Sequence, residues 1–98
     1  MSWSSALEAY SQRHPRLVLQ LTVSQGGETD VILMFRGMSS SLRRATPLDL
    51  NQAVVADNAQ FVALDIVAAP YQPDQPQVIQ GSLTWPQVQA LLAQEGLI

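Results

Sequence analysis

The chain has 98 residues, 47% of them hydrophobic and only 13% charged, which fits a single domain over residues 1–98 and excludes charge-driven disorder. Its net charge of −3 argues against a broadly basic nucleic-acid binder, and the absence of cysteine excludes disulfides and thiolate metal sites. The sequence has no secretory signal pattern and no run of about 18 apolar residues that would span a membrane. We therefore expect a cytoplasmic protein.

The first predicted element is a short helix with Ser5 as its cap. Glu8 stands three residues later, as in a capping box, and an apolar stripe at helical spacing follows. Because Pro15 cannot continue a helix, this one should end near Arg13.

A β-hairpin is predicted next. Apolar residues alternate from Leu17 to Val23, and a second β-rich run covers residues 29–36. Gly26 and Gly27 between the two runs are free to adopt the positive φ that a tight turn requires. The second run has almost no polar alternation, so we expect it to be buried on both faces and central in a sheet.

Residues 38–46 allow two interpretations. They form either a third short strand, with Met38, Ser40 and Leu42 in alternation, or an irregular loop that Pro47 closes. The next strand is predicted over residues 60–68. Its purely apolar set should face the core: Val62, Leu64 and Ile66.

The C-terminal part should contain a short strand and a helix. A stiff, proline-rich connector over residues 70–76 leads into a strand over residues 77–80, which Gly81 should end. Thr84 with Gln87 predicts a capping box at the start of the last helix. Gly96 should end that helix in a left-handed cap, with Leu97 packing back.

These elements predict a β-rich α+β domain with N- and C-terminal helices. The strands are consecutive and their connections are short, so the sheet should be antiparallel. A strongly bent sheet or a small SH3-like barrel fits the length best, and an open sheet with both helices on one face is the alternative.

Four segments resemble a small uncharacterised domain family of cyanobacteria and chloroplasts over roughly residues 30–90. The segments are Phe35-Arg36-Gly37-Met38-Ser39-Ser40-Ser41-Leu42, Ala45-Thr46, Pro70-Tyr71-Gln72-Pro73 and Gly81-Ser82-Leu83-Thr84-Trp85. The resemblance implies a photosynthetic lineage and a soluble compartment. It implies no activity and no catalytic residues.

The first candidate site is the segment from Arg36 to Arg44. Arginine side chains match phosphate and carboxylate geometry, and serine hydroxyls can complete an anion cradle. The candidate residues are Arg36, Ser39, Ser40, Ser41, Arg43 and Arg44. The structural alternative is a polar loop or edge strand whose arginines pair with Asp49 or Asp74.

Enzymatic chemistry finds little support in the sequence. A nucleophilic serine needs a nearby base, and the only histidine, His14, stands at a helix end, where it is expected to be a surface residue. One histidine without cysteine does not make a transition-metal site, and no cofactor motif is present. Asp65 interrupts an apolar strand, so we expect its carboxylate to be solvated or paired, for example with an arginine of a neighbouring strand.

Tyr71 is the second candidate. Within the proline-rich connector it is the aromatic residue expected to be most exposed, and a Pro-Tyr-x-Pro segment can present an extended surface to a partner. The low charge and the apolar excess favour a non-enzymatic protein-interaction or assembly module that binds another protein. The alternative is an RNA- or anion-binding small barrel that uses the Arg36–Arg44 segment.

Overall fold

The computed structural model describes residues 3–41, 59–72 and 74–98. The elements are helix α1 (Trp3–Arg13), strands β1 (Leu17–Gln25), β2 (Glu28–Phe35), β3 (Met38–Ser41), β4 (Gln60–Ala68) and β5 (Val78–Leu83), and helix α2 (Trp85–Gln94). All neighbouring strands are antiparallel in one open sheet of order β3-β2-β1-β4-β5. The predicted α+β fold is confirmed, in the open-sheet arrangement rather than the barrel.

Both helices pack on one face of the sheet, which we call the covered face. Successive side chains of a strand point to opposite faces, so alternate residues of β1, β2 and β4 meet the helices there. The core on this face consists mainly of Leu7, Tyr10, Leu19, Leu21, Val23, Ile32, Met34, Leu64, Ile66, Val88 and Leu92. No described helix lies on the opposite face, which we call the open face.

The β1–β2 hairpin forms as predicted. Gly26 and Gly27 take φ values of 62° and 76°, the conformation that a two-residue hairpin turn requires. The middle strand of the sheet, however, is β1, and β2 lies between β1 and β3. Buried and half-buried residues alternate along the inner part of β2, because helices cover only one of its faces.

Helix α1 begins at Trp3, so the prediction that Ser5 caps it is wrong. The extra turn is held by tertiary packing: the Trp3 ring meets the rings of Phe61 and Trp85 edge-on, at centroid distances of 5.9 and 6.1 Å. The predicted end at Arg13 is confirmed.

Strand β4 has the predicted bounds, but one of its side chains does not point as expected. Leu64 and Ile66 are buried in the core, whereas Val62 is 52% exposed. The register between β1 and β4 shifts at Thr22/Val23, so that Phe61 rather than Val62 lies opposite Val23. This irregularity turns Phe61 toward the core and Val62 outward.

Strand β5 does not end at Gly81, as predicted, but continues to Leu83. Helix α2 follows the prediction: the side chain of Gln87 accepts a hydrogen bond from the backbone N–H of Thr84 at 2.9 Å. At the other end Gly96 has a φ of 70°, and the N–H of Leu97 donates to the carbonyl oxygen of Leu92 at 2.9 Å. In the described part of the chain, no helix is long and apolar enough to cross a membrane.

Candidate interaction surface

An apolar row crosses the open face from one edge of the sheet to the other. From β3 to β5, the row consists of Met38, Phe35, Val18, Val67 and Val78. Each residue pairs with the next in the sheet, and Phe35 stands beside Val18 when the β1–β2 register is continued by one residue. Met38 is 77% exposed and Val78 is 55% exposed, whereas Val18 and Val67 are buried. The side chains in the middle of the row are therefore buried, and those at its two ends are exposed.

Tyr71 lies against the middle of the open face. Its hydroxyl donates to Oε1 of Gln20 at 3.2 Å, and Gln20 points to this face from the middle strand. Tyr71 is consequently half-buried, not the exposed residue that the sequence predicted. Tyr71 therefore lies on the same side of the sheet as the buried Val18 and Val67.

Asp65 holds the irregular part of β5 in place. Its Oδ1 accepts a hydrogen bond from the backbone N–H of Ser82 at 2.7 Å, and its Oδ2 accepts from Nε2 of Gln20 at 3.4 Å. Ser82 has a φ of 54°, which is uncommon for a residue other than glycine. The carboxylate is paired, as expected, but with a backbone amide and a glutamine rather than with an arginine.

The β2–β3 turn presents Arg36 at the open end of the row. Its guanidinium carbon lies 5.0 Å from the centre of the Phe35 ring, within the range of a cation–π contact. Arg36 has a φ of 51° and Gly37 a φ of 84°, so the turn holds a non-glycine residue in the left-handed region, at a cost of about 1–2 kcal/mol.

Helix α1 fixes this turn from the covered side. The buried hydroxyl of Ser11 accepts a hydrogen bond from the Gly37 N–H at 2.9 Å and donates to the carbonyl oxygen of Glu8 at 2.7 Å. Directly beside it, the Ser39 hydroxyl donates to the Glu8 carboxylate at 2.6 Å. These contacts hold the turn in its strained conformation, so that Arg36 and Phe35 are positioned by α1.

The structure does not bring the three predicted serines into one cradle. Because they follow one another along a strand, Ser39 and Ser41 point to the covered face and Ser40 to the open face. The Ser41 hydroxyl lies 2.9 Å from both oxygens of the buried Asp30 carboxylate. Of the candidate residues that the structure describes in this segment, Arg36 and Ser40 share the open face, and Arg43 and Arg44 lie outside the described residues.

Sequence reasoning missed a polar cluster that joins the two helices. Nε2 of His14 lies 2.6 Å from Oε2 of Glu95, and the guanidinium of Arg13 donates to the Glu95 carbonyl oxygen at 2.7 Å. The Tyr10 ring stacks on His14 at 4.3 Å. Burial raises the pKa of Tyr10 above 10.0, and the negative charge of Glu95 raises it further. His14 and Glu95 are 81 residues apart in sequence, so no local pattern indicates the cluster.

This cluster does not form a metal site. Across residues 3–41, 59–72 and 74–98, no group of three or more histidine, cysteine, aspartate or glutamate side chains could hold a metal ion. His14 and Glu95 instead link the end of α1 to the end of α2.

Comparison with known proteins identifies a family without assigning an activity. No curated protein and no solved structure matches the chain. A family described as a domain of unknown function, DUF7734, matches residues 4–92, from the first turn of α1 to the last turns of α2. The chain belongs to this family.

Proposed function

We propose that this domain is a non-enzymatic protein-interaction module that binds another protein through the open face of its sheet. The observation that carries the proposal is the apolar row with exposed ends. Met38, Phe35 and Val78 are 77%, 36% and 55% exposed, although other apolar residues of the described chain form a core on the covered face. A row of neighbouring apolar side chains that reaches the surface, rather than single scattered ones, is typical of a surface that a partner covers.

The electrostatics of the same region favour a protein over RNA or a free anion. The carboxylates of Glu8 and Asp30 lie on the reverse side of the β2–β3 hairpin, where they accept hydrogen bonds from Ser39 and Ser41. The net charge of the chain is −3. A phosphate backbone approaching Arg36 would be repelled by these groups, whereas an apolar protein surface would not.

Site-specific photo-crosslinking tests the proposal in cells of the source organism. A photoreactive phenylalanine derivative replaces Met38 on the open face, and the same derivative replaces the exposed Gln89 of α2 as the matched control. We expect position 38 to form an adduct with one discrete protein and position 89 to form none. Adducts of equal yield at both positions, or an adduct of position 38 with RNA, would overturn the proposal.

The cytoplasmic location and the photosynthetic lineage expected from the sequence remain predictions. The family match is consistent with an uncharacterised small domain and is silent on both.

A further inference from the structure

We propose that Met38 is a modification site at which a hydroperoxide regulates the open face. Oxidation of its thioether to the sulfoxide replaces an exposed apolar side chain of the row by a polar one and releases the partner. The inference rests on the proposed function, since it concerns the regulation of the same surface.

Exposure separates the two methionines that the structure describes. Met38 is 77% exposed, whereas Met34 belongs to the core and is 0% exposed. A small peroxide reaches the side chain of Met38 without any movement of the chain, but it reaches Met34 only when the core opens. Oxidation of the folded protein should therefore be selective for Met38 over Met34. Met1 lies outside the described residues.

The reaction needs a hydroperoxide as its co-reactant. With hydrogen peroxide, the Met38 sulfur attacks one oxygen and the O–O bond breaks. The attacked oxygen stays on the sulfur and gives up its proton to the hydroxide that leaves, which forms water. The sulfur is oxidised by two electrons and the peroxide is reduced by two. Methionine sulfoxide reductases reverse the modification, so it can act as a switch.

The position of Met38 in the row gives the oxidation its effect. Met38 pairs with Phe35 across the β2–β3 hairpin, and both side chains point to the open face. Side chains that stand opposite each other on antiparallel strands are about 5 Å apart at Cβ. The sulfoxide oxygen is therefore introduced beside an aromatic ring of the proposed interface. A polar group that a partner covers without hydrogen-bonding it weakens binding.

The β2–β3 turn limits how far Met38 can move away after oxidation. Arg36 and Gly37 join Phe35 to Met38 with φ values of 51° and 84°. The hydroxyl of Ser11 accepts a hydrogen bond from the Gly37 N–H at 2.9 Å and so ties the turn to α1. The backbone of Met38 is held between this turn and its pairing with β2, so the polar group stays at the end of the row.

Peroxide treatment of the purified full chain, followed by peptide-resolved mass spectrometry, tests the selectivity. We expect the sulfoxide of Met38 to form at least about tenfold faster than that of Met34, because Met34 must wait for the core to open. The melting temperature should not change when only Met38 is oxidised, because this side chain lies outside the core. Equal rates at the two positions, or a lowered melting temperature, would overturn the inference.

Photo-crosslinking from the other end of the row tests the effect on binding. A photoreactive phenylalanine derivative replaces Val78, which is 55% exposed, and the protein is irradiated in an extract of the source organism before and after peroxide treatment. The yield of the adduct should fall about tenfold on oxidation. Treatment with the reductases for both sulfoxide epimers should restore it.

Two substitutions at position 38 are the matched controls, each combined with the derivative at position 78. M38L keeps an apolar side chain of similar size without sulfur, so its adduct yield should not respond to peroxide. M38Q introduces a polar side chain without oxidation, so its yield should be low from the start.

The outcomes separate the inference from the proposed function. A discrete adduct whose yield is the same before and after oxidation of Met38 overturns the inference and leaves the proposed function standing. The same holds if M38L loses its adduct on peroxide treatment as the wild-type residue does. If untreated protein forms no discrete adduct from position 38 or from position 78, the proposed function fails and the inference fails with it.

Discussion

The two faces of the sheet differ although the same strands build both. On the covered face Leu21, Ile32 and Leu64 are at most 1% exposed, beneath α1 and α2. On the open face Phe35 and Met38 remain in contact with solvent. Alternation along a strand produces two apolar faces, but two short helices cover only one of them. Among the described residues, therefore, part of the apolar excess fills the core and part remains at the surface of the open face.

The faces are nevertheless linked through the β2–β3 turn. Helix α1 lies on the covered side, but its residues Ser11 and Glu8 hold the Gly37 amide and the Ser39 hydroxyl. The geometry of Arg36 on the open face therefore depends on contacts made behind the sheet.

The largest expected difference between the faces comes from side-chain truncation. Leu21→Ala removes a fully buried side chain from the middle strand, so the free energy of unfolding should fall by about 3 kcal/mol. Met38→Ala, at a position that is 77% exposed, should change it by no more than about 0.5 kcal/mol. Urea denaturation of the two variants measures both changes. Equal losses would contradict the division into a core face and a surface face.

Removal of a serine hydroxyl should lower the free energy of unfolding on the covered side of the sheet but not on the open face. In Ser11→Ala, a buried serine no longer accepts from the Gly37 N–H, and the free energy of unfolding should fall by about 2 kcal/mol. Ser40→Ala removes an exposed hydroxyl of the open face and should have little effect. Thermal unfolding of the two variants provides the measurement. Similar melting temperatures would show that α1 does not hold the turn.

Introducing a glycine and removing a glycine in the β2–β3 turn should change the free energy of unfolding in opposite directions. Arg36→Gly relieves a non-glycine residue of its positive φ and should raise the free energy of unfolding by about 0.5 kcal/mol. Gly37→Ala puts a side chain at a φ of 84°, 3.4 Å from Cβ of Gln12, and should lower it by about 1 kcal/mol. Denaturation of both variants tests the strain.

The smallest expected effect is on the stability of the folded protein at alkaline pH. Because the pKa of Tyr10 is raised in the folded state by burial, and further by Glu95, its contribution is fully present below pH 10 and is lost as the pH rises through the folded-state value. Wild-type protein should therefore lose more stability than Tyr10→Phe as the pH rises above about 10. Tyr71→Phe, on the open face, is the control. Parallel losses in wild type and Tyr10→Phe would contradict the burial of this hydroxyl as a source of pH dependence.

Short-range patterns predicted much of the fold. The Gly26-Gly27 turn, the bounds of β4 and both ends of α2 follow from residues within a few positions of each other. The predictions failed where distant residues decide, as at the start of α1, where the Trp3 ring packs against Phe61 and Trp85. Val62 is another case, because the register shift beside β1 cannot be read from β4 alone.

The candidate site was predicted less well than the fold. Sequence reasoning grouped Arg36 with three serines because they are neighbours in the chain. In a strand, neighbours point to opposite faces, so Ser39 and Ser41 meet Glu8 and Asp30 behind the sheet. Phe35, Met38 and Val78 appeared only as apolar residues of strands, with no sign that they would stay outside the core.

The sequence by itself determined the β1–β2 hairpin with its turn, strand β4, helix α2 and the class of the fold, because backbone preferences and apolar periodicity act over a few residues. Only the tertiary structure decided which face of the sheet the helices cover, and hence which apolar side chains remain exposed. It also decided that His14 meets Glu95 and that Tyr71 lies against the sheet. Apolar patterning shows that a strand has an apolar face, but the packing of the whole chain determines which layer covers this face.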